Sequence, residues 1–145
     1  MASAERFFSE HEKAAIKAAI VAAEQKTSGE IRVHIENKCP GSVLDRAADC
    51  FGKLKMHETA ERNGVLFYLA IESRVFAIFG DKGINEKVEA GFWNSISAAM
   101  ETAFKSGDFV KGLSEGIAAT GEKLAAHFPV RKENPNELSD EISFE

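Results

Sequence analysis

The chain has 145 residues, 44% of them hydrophobic, and a formal net charge of −5 that sets its pI near 5.5. A domain of this length buries about 68–70% of its unfolded surface, so it needs neither a disulfide nor a metal merely to fold. The acidic balance and the lack of a basic stripe exclude nucleic acid held through its phosphates as a partner, and leave cations as the charged ligands to expect.

Residues 1–10 carry no apolar core of signal-peptide length, and no stretch approaches the ~18 apolar residues that a membrane span requires. A cytoplasmic protein without a membrane span is expected. Cys39 and Cys50 are too few for a disulfide framework and are expected as free thiols.

Ser9 followed by Glu12 is a capping-box pattern, and Ile16, Ile20 and Ala23 recur at helical spacing until Gly29 offers a stop. A helix is therefore predicted over residues 9–27. Residues 30–36 alternate, with Ile31, Val33 and Ile35 on one face and Glu30, Arg32, His34 and Glu36 on the other, which predicts a strand with one wetter side. Cys39-Pro40-Gly41 breaks it. An apolar stripe of Val43, Leu44, Ala47, Ala48, Phe51 and Leu54 predicts a second helix over residues 42–55, and a polar loop runs on to residue 63. Two apolar runs, residues 64–71 and 74–79, are separated by two residues and predict an antiparallel hairpin. Val88, Phe92, Ile96, Ala99, Met100 and Ala103 predict one long helix over residues 84–104. Asp108 caps another, through Phe109, Leu113, Ile117, Leu124 and Phe128, with Gly116 and Gly121 as its weak points. Residues 1–128 thus read as one domain. Residues 129–145 read as an acidic tail whose Leu138, Ile142 and Phe144 are able to dock on the body.

The order αβαββαα predicts an α/β fold, a three-layer αβα sandwich around a small mixed sheet. The first two strands flank a helix, and such a crossover makes them parallel. That topology gathers Gly29 and Glu30, the loop with Glu58, Glu61 and Asn63, the strand end at Gly80 and Asp81, and the helix start at Asn85 and Glu86 along one edge of the sheet.

The hairpin opens with Arg62-Asn63-Gly64 and closes with Gly80-Asp81-Lys82-Gly83. Before it stands Thr27-Ser28-Gly29-Glu30-Ile31-Arg32-Val33, and after it Lys105-Ser106-Gly107-Asp108-Phe109-Val110-Lys111-Gly112-Leu113. These three motifs, in this order over roughly residues 7–128, resemble the TPM domain family, named for thylakoid-lumen, photosystem II repair and nematode receptor-modulating members. The resemblance implies that acidic loops at this end of the sheet carry function and that divalent ions bind, as they do in several members. It also implies phosphate-monoester hydrolysis as an activity of part of the family. Many members carry a signal peptide and a membrane anchor, so this chain looks like a stand-alone version. It departs from the family where an Asp often precedes the Asn-Gly pair: here stands Arg62, which removes a potential ligand and adds a competing cation.

Glu58, Glu61, Asn63, Asp81 and Glu86 supply five oxygen-bearing side chains at the edge, with Glu30 within reach. Gathered carboxylates repel unless a cation offsets them. A hard divalent ion does so, calcium first because it accepts six to eight oxygens from flexible loops, with magnesium or manganese as stricter alternatives. The same residues also have an ordinary structural reading. Asp81 and Asn63 are common turn residues, Glu58 and Glu61 can pair with Lys55 or Arg62, and Glu86 suits a helix start.

No catalytic nucleophile stands out. Arg46 comes one residue too late after Cys39 for a Cys-based phosphate loop, and Asp81 lacks the second Asp of an aspartyl-phosphate enzyme. Hydrolysis, if present, has to be metal-assisted, with Asp81 and Glu61 holding the ions. His11-Glu12 lacks the second His of a zinc protease helix, since Ala15 stands there, and no imidazole-thiolate set suggests zinc. His57 stands alone, His34 and His127 read as surface or capping residues, and Phe51, Phe92, Trp93, Phe104 and Phe109 as core. Three functional readings stay open: a regulatory domain binding divalent ions, a metal-dependent phosphatase, and a metal-free module for an unknown protein partner.

Overall fold

The computed structural model describes residues 4–130 and 140–145. A short helix, α1 (Ala4–Phe7), precedes α2 (Glu10–Glu24), which starts where the sequence asks: Glu12 N–H donates to Ser9 Oγ at 3.1 Å, and Ser9 N–H donates back to Glu12 Oε1 at 2.8 Å. Helix α2 stops short of Thr27, whose hydroxyl instead donates to Phe128 O and accepts from Gly29 N–H. The rest runs β1 (Glu30–Glu36), α3 (Val43–Lys53), β2 (Gly64–Ala70), β3 (Val75–Gly80), α4 (Lys82–Asn85), α5 (Asn94–Lys105), α6 (Phe109–Ala125) and β4 (Ser143–Phe144).

The sheet has the order β3-β2-β1-β4. Strands β1 and β2 are parallel from Glu30 opposite Gly64 to Glu36 opposite Ala70, as a crossover through α3 requires. Strands β2 and β3 are antiparallel from Val65 opposite Gly80 to Ala70 opposite Val75. Their connection is residues 71–74, longer than expected because Ile71 and Glu72 bond to Glu36 O and Asn37 O beyond β1. One face buries Ile31, Val33, Ile35, Val65, Phe67 and Leu69 under α2, α5 and α6; the other buries Leu66, Tyr68 and Ala77 under Ala47, Cys50 and Phe51 of α3. These are the three layers of an αβα sandwich.

Three local expectations change. The long helix over residues 84–104 is two helices, because Asp81 caps a start at Lys82 and Gly91, at φ +84°, holds a left-handed conformation no helix continues through. Helix α6 runs unbroken through Gly116 and Gly121, where Met100 and Ala23 approach too closely for a side chain. The expected wetter side of β1 is buried, with Glu30 2%, His34 4% and Glu36 4% exposed, since α3 covers it and β4 extends the sheet. That last strand comes from the chain's acidic end: Ser143 pairs with His34 and Phe144 with Ile35, and Ile142 and Phe144 pack on the main core. Leu138 lies outside the described residues. Among the described residues no helix is long and apolar enough to cross a membrane.

Candidate functional site

The sheet register brings the start of β1, the start of β2 and the end of β3 to one edge. Backbone bonds fasten it: Glu30 N–H donates to Asn63 O at 3.3 Å, Asp81 N–H to Gly64 O at 3.0 Å, and Gly83 N–H to Arg62 O at 2.9 Å. The loops at residues 61–62 and 81–83 touch so closely that a Cβ on Gly83 would lie 2.1 Å from Glu61 O. Asp81 is the N-cap of α4, its Oδ1 accepting from Lys82 N–H at 2.8 Å.

Arg62 sits at φ +51°, which turns its side chain onto Asp81. Its Nε donates to Oδ2 at 2.7 Å and its Nη2 to Oδ1 at 2.8 Å, a two-pronged pair using both carboxylate oxygens. The competing cation expected at this position is therefore seated on the central acidic residue. Ser28 Oγ donates to Glu61 Oε2 at 3.0 Å, and Asn63 Nδ2 reaches Ser28 Oγ at 3.4 Å and Glu61 Oε2 at 3.5 Å. Asn63 is 1% exposed, yet its Oδ1 has no hydrogen-bond partner. Of the six residues expected here, Glu61 and Asn63 touch, and Asp81 joins them through Arg62. Glu86 is exposed but close enough to act electrostatically on Arg62. Glu58 is exposed. Glu30 is buried, and its charge is felt by Glu24 at the end of α2.

A second constellation lies further along β1. His34, Glu36, Cys50 and Glu145 each place one ligand atom within 4.8 Å of the others, a group that could hold a metal ion. Strand alternation puts His34 and Glu36 on one face, α3 lays Cys50 over them, and β4 delivers Glu145. Arg46 of α3 donates from Nε to Glu36 Oε2 at 2.9 Å and from Nη2 to Glu36 Oε1 at 2.7 Å, and also bonds Glu145. Tyr68 donates its hydroxyl to Glu36. Burial alone would raise the Glu36 carboxyl; the bonds from Arg46 and Tyr68 outweigh it and hold Glu36 below its ordinary value. Burial pushes the Cys50 thiol up to about 11 and holds His34 below its usual range, so both are neutral at pH 7. His34 Nδ1 lies 2.5 Å from Ser143 Oγ. An imidazole and a thiol do meet here, contrary to the sequence expectation. The alternation of β1 signalled the His34 and Glu36 half, but no local pattern ties residue 145 to residue 34.

The aromatic expectation holds: Phe51 and Phe92 are buried core, with Trp93, Phe104 and Phe109 packed against it. A groove of about 750 Å³ lies beside the 71–74 turn, at the far end of the hairpin from Asp81, walled by Phe7, Ile71, Phe76, Phe104 and Phe109.

The TPM domain family model matches residues 2–123. The chain is similar to the BA42 protein from the psychrophilic bacterium Bizionia argentinensis, known from an NMR structure, at 46% identity, 100% coverage of both chains and a TM-score of 0.93. It shares its fold with the N-terminal domain of a protein from P. gingivalis, at 21% identity, TM-score 0.66, covering 83% of this chain and 78% of that one. The same holds for the N-terminal domain of the cg2496 protein from Corynebacterium glutamicum, at 15% identity, TM-score 0.66, covering 86% and 79%. No curated protein matches the chain. Three motifs in order, the crossover sandwich they build and the match over most of its length agree: this chain belongs to the TPM domain family.

Proposed function

We propose that this protein is a regulatory TPM domain that binds a divalent cation, calcium, at the loop edge around Asn63 and Asp81. The observation that carries the reading is Asn63 Oδ1, buried without a hydrogen-bond partner on a side chain whose Nδ2 faces Glu61 Oε2 at 3.5 Å. An acceptor left so costs about 1–3 kcal/mol, and a cation is the partner that an amide oxygen and a carboxylate both favour. In this reading Asn63, Glu61 and Asp81 are the principal donors, Glu58, Glu86 and Glu30 are further ones, and backbone carbonyls complete the set. Calcium suits donors carried on loops; magnesium or manganese at the same donors is the narrower alternative.

The ion takes over the role of Arg62. With both its oxygens occupied by the guanidinium, Asp81 is charge-balanced without metal, and binding releases Arg62 from it. Loop order and the exposed charge at the edge then change together, which alters the surface shown to a protein partner. Thiols left unpaired at Cys39 and Cys50 support a reducing, cytoplasmic setting.

The test is amide NMR of chelator-stripped protein titrated with calcium. Shifts confined to residues 28–30, 58–64 and 80–86, and lost in Asp81→Asn, are expected; saturating calcium that leaves those amides unmoved defeats the reading and favours a metal-free interaction module. A second reading, metal-dependent phosphate-monoester hydrolysis, draws on Arg62, a cation beside the same carboxylates and suited to phosphate oxygens. Chelator-sensitive release of phosphate from an aryl phosphate, abolished by Asp81→Asn, would select it.

A further inference from the structure

We propose that His34, Glu36, Cys50 and Glu145 form a second metal centre, separate from the Asn63 edge, that takes zinc and clamps β4 onto β1. The donor set is one imidazole, one thiol and two carboxylates, a combination that suits zinc and not calcium or magnesium. Zinc holds such ligands at about 2.0–2.3 Å, so tetrahedral neighbours stand roughly 3.3–3.8 Å apart. The four ligand atoms already lie within 4.8 Å of one another, with His34 Nε2 3.4 Å from Glu145 Oε2 and 3.9 Å from Glu36 Oε1. Small side-chain rotations complete the geometry.

A salt-bridge network explains part of the cluster, since Arg46 satisfies Glu36 and Glu145. It leaves His34 unexplained. The His34 side chain is 5% exposed and faces the centre of the cluster, yet its Nε2 makes no well-formed hydrogen bond, with Glu145 Oε2 standing off at 3.4 Å. Nδ1 lies 2.5 Å from Ser143 Oγ; in the tautomer where Nδ1 donates that bond, the Nε2 lone pair points at the metal position, the arrangement by which a hydrogen bond on one ring nitrogen presents the other to an ion.

Charge also balances. On binding, the Cys50 thiol gives its proton to solvent, so three anionic ligands and one neutral imidazole meet a divalent ion. The one negative charge left over faces Arg46, which keeps its place beside Glu36. Because Glu145 comes from the far end of the chain, the ion fixes β4 at the sheet edge and couples zinc supply to the docking of residues 140–145.

The experiment uses the full chain, reduced and chelator-stripped, titrated with cobalt(II) as a spectroscopic substitute for zinc. One equivalent should give thiolate-to-cobalt charge-transfer absorption, which zinc then abolishes. Cys39→Ser should leave that absorption intact and Cys50→Ser should remove it. Glu145→Gln changes only the half-exposed ligand; it should weaken cobalt binding about tenfold or more, which keeps the test decisive if Cys50→Ser fails to fold. Asp81→Asn should bind cobalt as the parent does, so the fate of the loop edge does not touch this result. Absence of the charge-transfer band at stoichiometric cobalt, or its survival in Cys50→Ser, overturns the proposal.

Discussion

Gly83→Ala sets helix propensity against steric fit at the loop edge. Gly83 lies inside α4, where alanine in place of glycine ordinarily gains about 0.5–1 kcal/mol. Here the added Cβ would stand 2.1 Å from Glu61 O, 2.5 Å from Arg62 O and 2.9 Å from Arg62 C, all backbone atoms that cannot rotate aside. The loops must separate by about 1 Å, which costs roughly 1–3 kcal/mol as overpacking. Separation also weakens the Gly83 N–H bond to Arg62 O, worth about 0.5–1.5 kcal/mol. Sterics win, with a net loss near 2 kcal/mol and a fall in unfolding midpoint of about 5–8 °C for this chain length. Gly52→Ala is the control. Gly52 is exposed in α3 with nothing within 4 Å of its added Cβ, so it should gain about 0.5–1 kcal/mol. Urea and thermal unfolding measure both, and calcium titration of Gly83→Ala should show affinity about tenfold weaker although no ligand was changed. A Gly83→Ala protein as stable as its parent would refute the claim that this contact holds the edge together.

Arg62→Gln frees both oxygens of Asp81 and should raise calcium affinity roughly three- to tenfold, read by isothermal titration; unchanged or weaker binding would show that Arg62 does not compete. Arg46→Met leaves the buried Glu36 charge with the Tyr68 hydroxyl as its donor and the Glu145 carboxylate nearby, and should cost about 2–4 kcal/mol in urea unfolding; a cost below about 1 kcal/mol would mean the pair is not structurally important. Glu24 is pushed up to about 9, first by burial and then by its hydrogen bond with Asp140, with further repulsion from Glu30 and a partly offsetting bond from Ile31 N–H. The folded state thus holds a proton that the unfolded chain has lost above its ordinary value of 4.5, so stability falls as pH rises from there to about 9. The slope contributed is at most about 1.4 kcal/mol per pH unit. Glu24→Gln should flatten the decline of urea midpoints between pH 5 and pH 8, and an equally steep decline in the variant would sink the assignment.

Strand β1 was legible because its alternation is strict, and β2 with β3 because two apolar runs end in Asn-Gly and Gly-Asp. Those signals are local, and from them the parallel crossover and the shared edge follow by topology. The break between α4 and α5 was not legible, since Val88 and Phe92 keep helical spacing while Gly91 adopts a positive φ. Strand β4 was hidden for a different reason. Its two residues pair with His34 and Ile35 more than a hundred positions away, and an acidic segment carries no strand pattern of its own. The same distance hid the cluster at His34, where the side chains come from β1, α3 and the final residue. At the loop edge the sequence named the acidic residues and the competing Arg62, but not that Arg62 takes both oxygens of Asp81, which depends on its left-handed backbone.

The most direct test of the central claim is thermal unfolding of chelator-stripped parent and Asp81→Asn proteins, each with and without calcium, compared by the calcium-induced increment because Asn keeps the cap on α4. A ligand at a hundred times its dissociation constant adds about 2.7 kcal/mol, enough to raise the parent midpoint by several degrees. The account predicts that rise in the parent and little or none in Asp81→Asn. An equal rise in both proteins, or no rise in the parent at millimolar calcium, would contradict it.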